Sequence, residues 1–139
     1  MFGLDVSTAM LEVAREVFGT PPVRGDAAHL PFADASFDAV VSCRLLHHLP
    51  QVEQLEAVVA ELTRVSRGLV LASFWDADTL GGWRRRFLPS ARHRRSLRSF
   101  HRRATLRHAF EHAGARVLAF DVDLRFLTRQ TFVVARRTP

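Results

Sequence analysis

The stretch that decides the fold is FGLDVSTAMLEVAREVFG, residues 2–19. The apolar residues before Asp5 predict the end of a β-strand with a carboxylate at its tip. Ser7 predicts a helix N-cap, because its hydroxyl can accept a backbone N–H of the first turn. Gly19 predicts the end of that helix. One helical face is apolar and comprises Met10, Leu11, Ala14, Val17 and Phe18.

Short apolar segments and helical patterns alternate after this stretch. A strand at residues 23–25 ends at Asp26, and a second strand runs from Phe37 to Cys43. The second is largely apolar, which predicts burial on both faces. A helix at residues 51–66 and a strand at residues 68–75 follow, and the core stripe of that helix is Val52, Leu55, Val59 and Leu62. This alternation predicts an α/β fold with a parallel sheet and helices on its faces.

The C-terminal part of the chain predicts one helix and two strands. Thr105 is the expected cap of the helix, and Gly114 its end. The apolar side of this helix is Leu106, Phe110 and Ala113. Strands at residues 116–124 and 130–137 are joined by a link too short for a parallel crossover, so we expect an antiparallel pair.

The composition indicates one compact domain, because the chain has 139 residues of which 47% are apolar. Cys43 is the one cysteine, so no disulfide can form within the chain. We expect its side chain to be a buried small apolar group. The sequence contains neither an 18-residue apolar run nor a charged-then-apolar leader, so we expect a cytoplasmic protein.

The charge of the chain is unevenly distributed. Residues 1–83 hold 11 acids and 5 Arg, a net −6, whereas residues 84–139 hold 15 Arg and 3 acids, a net +12. Residues 84–107 hold ten Arg and no acid. This segment is either a solvated helical face in a GC-rich genome, since Lys, Ile, Asn and Tyr are absent, or a surface for an anionic partner. Such a partner would be an acidic substrate, an anionic membrane or RNA.

Four segments occur in the order GLDVSTAMLEVAR, GDAAHLPFADASFDAVVSCRLLHHL, RGLVLASF and ATLRHAFEHAGARV. Together they resemble the class I S-adenosylmethionine-dependent methyltransferases, in particular the small-molecule group that includes the quinone-biosynthesis enzymes. The resemblance covers nearly all of the chain, and the Arg-rich segment matches least. It implies a Rossmann-like sheet with helices on both faces and S-adenosyl-L-methionine as the cofactor.

The resemblance also implies a cofactor site at the carboxyl ends of the strands. Asp5 would accept both ribose hydroxyls, and Val6 would lie against the adenine. Asp26 would accept the adenine amino group, beside the Ala27 backbone N–H. The methionine part would be bordered by Ser42, Cys43 and Arg44. The alternative roles are an Asx cap before Ser7 for Asp5, and an ordinary turn residue for Asp26.

For the methyl acceptor, the resemblance implies a pocket after the strand that ends near Phe74. The aromatic residues available to line it are Trp75, Trp83, Phe87 and Phe100. Methyl transfer can proceed largely by placement and desolvation, so no strict catalytic motif is required. The candidate bases are His47, His48 and His101, and packing or helix capping is the alternative role for the first two. No Cys/His cluster has zinc spacing, so we expect no metal.

The resemblance implies one further unit that these residues do not contain: a first strand followed by a glycine-rich turn. Gly81 and Gly82 come too late to form that turn. The strand would be central, between the strand ending at Asp5 and the strand Phe37 to Cys43. Without it, those two strands lose hydrogen-bond partners or pair with each other. Upstream sequence or a second chain, for example in a homo-oligomer, would have to supply it.

The sequence therefore predicts a partial methyltransferase domain over residues 1–139. We divide it into a cofactor-side half (1–78), an Arg-rich helical substrate-side insert (79–108) and a C-terminal helix with a strand pair (109–139). The leading hypothesis is methyl transfer to a small molecule, impaired unless the first strand is supplied. The alternative is a non-catalytic Arg-rich module that binds RNA or acidic lipid. Nucleic acid is the less favoured partner, because no RNA-reading motif is visible.

Overall fold

The structure is a computed structural model, and it describes residues 2–19, 22–79, 99–122 and 130–138. In chain order its elements are β1 (Leu4–Asp5), α1 (Thr8–Phe18), β2 (Val23–Arg24), β3 (Phe37–Ser42), a 3₁₀ turn (Leu46–His48), α2 (Val52–Val65), β4 (Ser66–Trp75), α3 (Arg103–His112), β5 (Ala115–Val122) and β6 (Gln130–Arg137). As the sequence predicts, α1 separates β1 from β2 and α2 separates β3 from β4, whereas β2 and β3 are joined by a loop.

The strands form two sheets. One contains β1 and β2, which are parallel. The other has the order β3-β4-β6-β5, in which β3 and β4 are parallel and both β4–β6 and β5–β6 are antiparallel. The predicted antiparallel pair at the C-terminus is therefore confirmed.

β1 and β3 belong to different sheets, and no hydrogen bonds pair one strand with the other. Three aromatic rings join the two sheets near the start of these strands. The ring centroids of Phe2 and Phe37 are 5.9 Å apart, and those of Phe32 and Phe37 are 4.9 Å apart. Of the two outcomes expected without a central strand, the structure shows the one in which β1 and β3 lose a neighbour.

The prediction that β3 is buried on both faces is wrong. Ala39 is exposed, and 64% of Val41 is accessible to solvent. Both residues alternate with Val40 and Ser42, which face the core side of the sheet beside Val70 and Ala72. The second face of β3 is exposed because, in the described ranges, the helices packed on this sheet lie on its core side.

α1 has the predicted caps, but much of its apolar face is exposed to solvent. The Ser7 hydroxyl accepts a hydrogen bond from the Met10 N–H at 3.5 Å, and Gly19 takes the left-handed conformation at φ 65°. Leu11 is buried, yet Met10 and Val17 are 56% and 68% exposed. The two short strands β1 and β2 are too narrow to cover the whole apolar face. The Phe18 side chain lies outside the described part.

The core lies between the four-stranded sheet and the helices α2 and α3. Leu55, Val59 and Leu62 of the predicted stripe are buried, but Val52 is 46% exposed because it is the first residue of α2. Among the described residues, α2 and α3 are the helices that pack on the core face of the four-stranded sheet. No helix in the described ranges is long and apolar enough to cross a membrane.

α3 begins two residues earlier than its predicted cap. Thr105 lies inside the helix, whose first residue is Arg103. The cap comes from another element, because the Asp78 carboxylate accepts a hydrogen bond from the Arg103 N–H at 3.0 Å. Leu106 and Phe110 are buried and Ala113 packs beside them, as predicted. Gly114 ends the helix at φ 79°.

Candidate functional site

Two aspartates stand at the carboxyl ends of the parallel strands β1 and β2. Asp5 is the last residue of β1, and its backbone oxygen accepts a hydrogen bond from the Gly25 N–H, directly before Asp26. The two carboxylates are therefore at one edge of the same small sheet. Parallel pairing puts them there, because Asp5 ends β1 and Asp26 comes two residues after β2.

Each of these carboxylates has one oxygen engaged locally. Asp5 Oδ1 accepts from the Ser7 N–H at 2.8 Å, and Asp26 Oδ1 accepts from the Ala28 N–H at 2.9 Å. The Asx cap and the turn role considered for these residues are thus present. A carboxylate has about four lone-pair sites, so a ligand contact through Oδ2 remains compatible with both. His29 Nδ1 lies 3.9 Å from Asp26 Oδ2, and both side chains are largely exposed.

The neighbouring predicted contacts are accessible. Val6 is 63% exposed directly after Asp5, so its side chain can lie against a flat apolar group. Ala27 is half-buried in the turn after Asp26. Beside that turn lies a cleft of about 340 Å³ between the chain after β2 and the first half of α2. The lining residues are Asp26, Ala28, Leu49, Glu53, Gln54, Ala57 and Val58.

The end of β3 presents a hydroxyl, a thiol and a guanidinium. Ser42 is buried, and its hydroxyl has no hydrogen-bond partner among the described residues. Cys43 is exposed, so the expectation that it is buried is wrong. It follows the last residue of β3, where pairing with β4 has ended. Arg44 adopts φ 60°, and its N–H donates to the Ser73 hydroxyl of β4 at 2.7 Å.

A buried polar atom normally has a partner, and the Ser42 hydroxyl, at the carboxyl end of β3, has none among the described residues. Asp5 and Ser42 each end a strand that has a parallel neighbour, and Asp26 comes two residues after β2, which is parallel to β1. These side chains offer carboxylate acceptors and a hydroxyl, which are groups that a nucleoside with an amino-acid tail can bind. These residues therefore fit the expected cofactor, although β1 and β3 are not adjacent strands.

Aromatic side chains gather at the end of β4. The His47 ring stacks on Trp75 with centroids 4.9 Å apart and planes at 14°, and Trp75 lies 5.2 Å from Phe100. The Ser99 N–H donates to the His47 backbone oxygen at 2.6 Å, which ties the two segments together. The structure thus unites Trp75, Phe100 and His47, which the sequence assigned to acceptor binding and catalysis. Trp83 and Phe87 lie outside the described residues.

The candidate bases differ in their surroundings. His101 is buried and its Nε2 lies 2.9 Å from the Leu46 backbone oxygen, an arrangement that requires Nε2 to carry the proton. Burial lowers the pKa of His101 below its ordinary value. His47 is buried beneath its ring neighbours, and His48 is exposed beside it with ring centroids 4.3 Å apart. His48 is therefore the most accessible imidazole of the three.

The sequence did not single out a clamp that fixes the loop between β2 and β3. Arg64 of α2 donates to the Phe32 backbone oxygen at 2.8 Å and to the Leu30 backbone oxygen at 3.0 Å. Its Nε lies 2.6 Å from Glu61 Oε1, and the other Glu61 oxygen accepts from the Leu30 N–H. The hydrogen bond from Arg64 lowers the pKa of Glu61. The sequence did contain a signal for the Glu61–Arg64 ion pair, because an acid and an Arg three residues apart lie on the same face of a helix.

Asp76 was also missed, although it follows a buried strand as Asp5 does. It is fully buried, and its Oδ2 accepts from Arg103 Nε at 2.7 Å and from the Thr131 hydroxyl at 3.0 Å. The backbone beside it pairs with the chain at His101. Asp76 therefore holds the ends of β4, β6 and α3 around the aromatic cluster.

The part of the chain that the structure describes contains no group of three or more His, Cys, Asp or Glu side chains placed to hold a metal ion.

Comparison with known proteins agrees with this geometry. A family described as a methyltransferase domain matches residues 1–71. The demethylmenaquinone methyltransferase of Thermobifida fusca (strain YX) is 38% identical over 90 residues, covering 57% of this chain and 38% of that protein. The enzyme of the same name from Mycobacterium sp. (strain KMS) is 44% identical over 71 residues, covering 50% and 30%. The match thus spans well under half the length of these curated relatives.

Solved structures share the fold over almost the whole chain. Magnesium protoporphyrin IX methyltransferase from Synechocystis PCC 6803, solved with bound SAH, superimposes with a TM-score of 0.78 at 21% identity. That match covers 99% of this chain and 64% of the other. A SAM-dependent methyltransferase from Methanosarcina mazei gives a TM-score of 0.75 at 17% identity, covering 98% and 81%.

Proposed function

Since this chain belongs to the class I S-adenosylmethionine-dependent methyltransferases, we propose that it transfers a methyl group from S-adenosylmethionine to a small-molecule acceptor once a further strand completes its sheet. The observation that carries the proposal is the placement of Asp5, Asp26 and Ser42 at the ends of parallel strands. The cofactor supplies an electrophilic methyl group on a sulfonium. This chain supplies the binding, the orientation and the exclusion of water.

Each part of the cofactor is assigned to the side chains that can bind it. Asp5 Oδ2 accepts from ribose hydroxyls, while Oδ1 stays bonded to the Ser7 N–H, which holds the carboxylate in place. Val6 contacts the adenine, and Asp26 with Ala27 binds its polar edge. The cleft beside Asp26 leaves room for that edge. The unpartnered Ser42 hydroxyl, with Cys43 and Arg44, borders the methionine part.

The acceptor binds against the aromatic cluster of His47, Trp75 and Phe100. Stacked and tilted rings favour a flat or apolar molecule, and the family relatives that act on quinones fit that chemistry. His48 is the base that can accept a proton from a hydroxyl or acidic carbon, because it is exposed beside the cluster. His101 is engaged with the Leu46 backbone oxygen and positions the cluster instead.

The completing strand lies between β1 and β3 in this proposal. Support comes from the two separate sheets, in which β1 pairs with β2 and β3 pairs with β4 and neither strand pairs with the other. A strand with a glycine-rich turn at that position would bond both edges and close the cofactor site from the side that β1 and β3 leave open.

Calorimetry with S-adenosylhomocysteine tests the proposal. The chain is titrated alone and after co-expression with the first strand, turn and helix of the Thermobifida fusca relative. We expect tighter binding in the complemented form. Asp5→Ala should weaken it about ten- to a hundredfold, because a charged hydrogen-bond acceptor is lost. Asp121→Ala, an exposed aspartate on β5, is the matched control and should bind like the parent. Equal affinity of Asp5→Ala and the parent contradicts the proposal.

The Arg-rich binding module remains the second candidate, on the single observation that residues 84–107 hold ten Arg and no acid. Its test is binding of a single-stranded RNA and of anionic vesicles at several salt concentrations, without cofactor. A steep loss of affinity with salt, together with no binding of S-adenosylhomocysteine in the complemented form, favours the module.

A further inference from the structure

Two histidines stand one helical turn apart on α3, away from the methyltransferase site. His108 and His112 are both exposed, and their ring centroids are 5.1 Å apart with planes at 56°. Residues four apart lie on the same face of a helix, so both imidazoles project from one patch of surface. The buried face of α3 carries Leu106, Ala109 and Phe110 and leaves this patch to solvent.

We infer that His108 and His112 form a bidentate site for a divalent transition metal ion such as Ni²⁺, Cu²⁺ or Zn²⁺. Two nitrogen ligands at about 2.1 Å put the metal roughly 3.2 Å from each ring centroid. Centroids 5.1 Å apart then subtend roughly 105° at the metal. That angle is close to the tetrahedral value, so the separation of the two rings is compatible with one shared metal ion.

The surroundings of the pair suit a metal better than an anion. Arg107 is the nearest cation along the helix, and its guanidinium carbon lies 5.5 Å from the centroid of the Phe120 ring. Glu111 is exposed on the same part of the helix and adds negative charge beside the imidazoles. Among the described residues no third His, Cys, Asp or Glu completes a metal cluster, so water fills the remaining positions.

Imidazole ligands set the preference of this site. Cu²⁺, Ni²⁺ and Zn²⁺ bind it and Mg²⁺ or Ca²⁺ do not, because the latter require oxygen ligands. Protons compete for the same nitrogens, so affinity falls as the pH falls. A metal that joins two successive turns binds only the helical form, so it raises the stability of α3 and of the domain.

The test uses the full chain without a histidine tag, in a Cys43→Ser background, since the exposed thiol is itself a metal ligand. Ni²⁺ and Zn²⁺ are titrated calorimetrically, with Mg²⁺ as the negative probe. We expect one metal per chain and a higher melting temperature. His108→Gln and His112→Gln should each weaken binding by about tenfold or more, because a chelate becomes a single ligand.

His29→Gln is the matched control, since His29 is an exposed imidazole outside α3. It should bind the metal like the parent. Equal affinity of His108→Gln and the parent overturns the inference. One metal per two chains, with dimer formation in ultracentrifugation, also overturns it, because the metal would then bridge copies rather than chelate within α3.

Discussion

At the scale of single residues, three aspartates share one sequence signal and differ in their surroundings. Asp5, Asp26 and Asp76 each follow a strand. Asp76 is fully buried, and its oxygens bind Arg103, Thr131 and the Asp78 N–H. Asp5 and Asp26 each keep one oxygen outside such bonds. Burial and partner count, which a sequence does not reveal, separate the structural carboxylate from the two that fit a ligand.

His101 makes the stability of the fold depend on pH. Burial lowers its pKa in the folded state, so below the ordinary histidine pKa the unfolded chain binds more protons than the folded one. Stability is therefore complete above about pH 6.5 and falls as the pH drops from there toward the lowered folded value. We expect the melting temperature to fall between pH 7.5 and pH 5.5 by calorimetry.

The same measurement on His101→Gln separates this histidine from the other titrating groups. The Gln amide can still donate to the Leu46 backbone oxygen but does not titrate, so the fall should be smaller than in the parent. His29→Gln, which changes an exposed imidazole, should keep the parental fall. An unchanged fall in His101→Gln would show that other groups cause it.

At the scale of elements, the loop between β2 and β3 is held by α2 rather than by its own turns. Arg64 alone reaches the backbone oxygens of Leu30 and Phe32 and the carboxylate of Asp34. This arrangement fixes the chain that follows Asp26 and thus one wall of the proposed cofactor site.

Replacing Arg64 tests that role against a neighbour of the same chemistry. Arg64→Ala leaves two backbone oxygens without their donor and Glu61 with only the Leu30 N–H, so we expect a loss of about 2 kcal/mol in urea unfolding. Hydrogen exchange in residues 30–36 should accelerate. Arg67→Ala removes only an exposed ion pair with Asp38, which contributes about 0–1 kcal/mol. Equal losses in the two variants would exclude a special role for Arg64.

Local signals in the sequence identify most elements but not what covers them. Ser7, Gly19 and Gly114 mark helix ends by their own chemistry, and all three are found in those roles. The prediction that Thr105 caps α3 was wrong, because the carboxylate of Asp78, on another segment, caps this helix. The exposure of Val41 depends on whether a helix covers the second face of β3, and a strand's own residues do not reveal that long-range packing.

The site was predictable to the same extent. The strand pattern predicted that Asp5 and Asp26 lie at one edge, because parallel strands end at a common edge, while the roles of these residues stay predictions. The clamp of Arg64 and the burial of Asp76 depend on contacts across 30 to 55 positions of sequence, which residue type alone does not specify.

At the scale of the whole molecule, the described strands form two sheets that are not hydrogen-bonded to each other. β4 has hydrogen-bonded neighbours on both sides, β3 on one side, and β1 only β2. Edge strands with exposed apolar residues are unstable arrangements that natural proteins cover. Val41 lies on β3 and Val6 directly follows β1; the completing strand of the proposed function would bond the free edges, and the helix after its turn would cover the exposed face of β3.

Hydrogen exchange measured residue by residue tests this asymmetry. Amides of β4 should exchange slowest, because both edges of that strand are bonded and its residues Val70, Ala72 and Phe74 are buried. Amides of β3 that do not donate to β4 should exchange nearly as fast as those of an open chain. Co-expression with the first strand, turn and helix of the Thermobifida fusca relative should slow these amides and leave β5, at the far edge, unchanged. Protection of all β3 amides in the chain alone, at a concentration where it is monomeric, would mean that its free edge is already paired and that no further strand is needed.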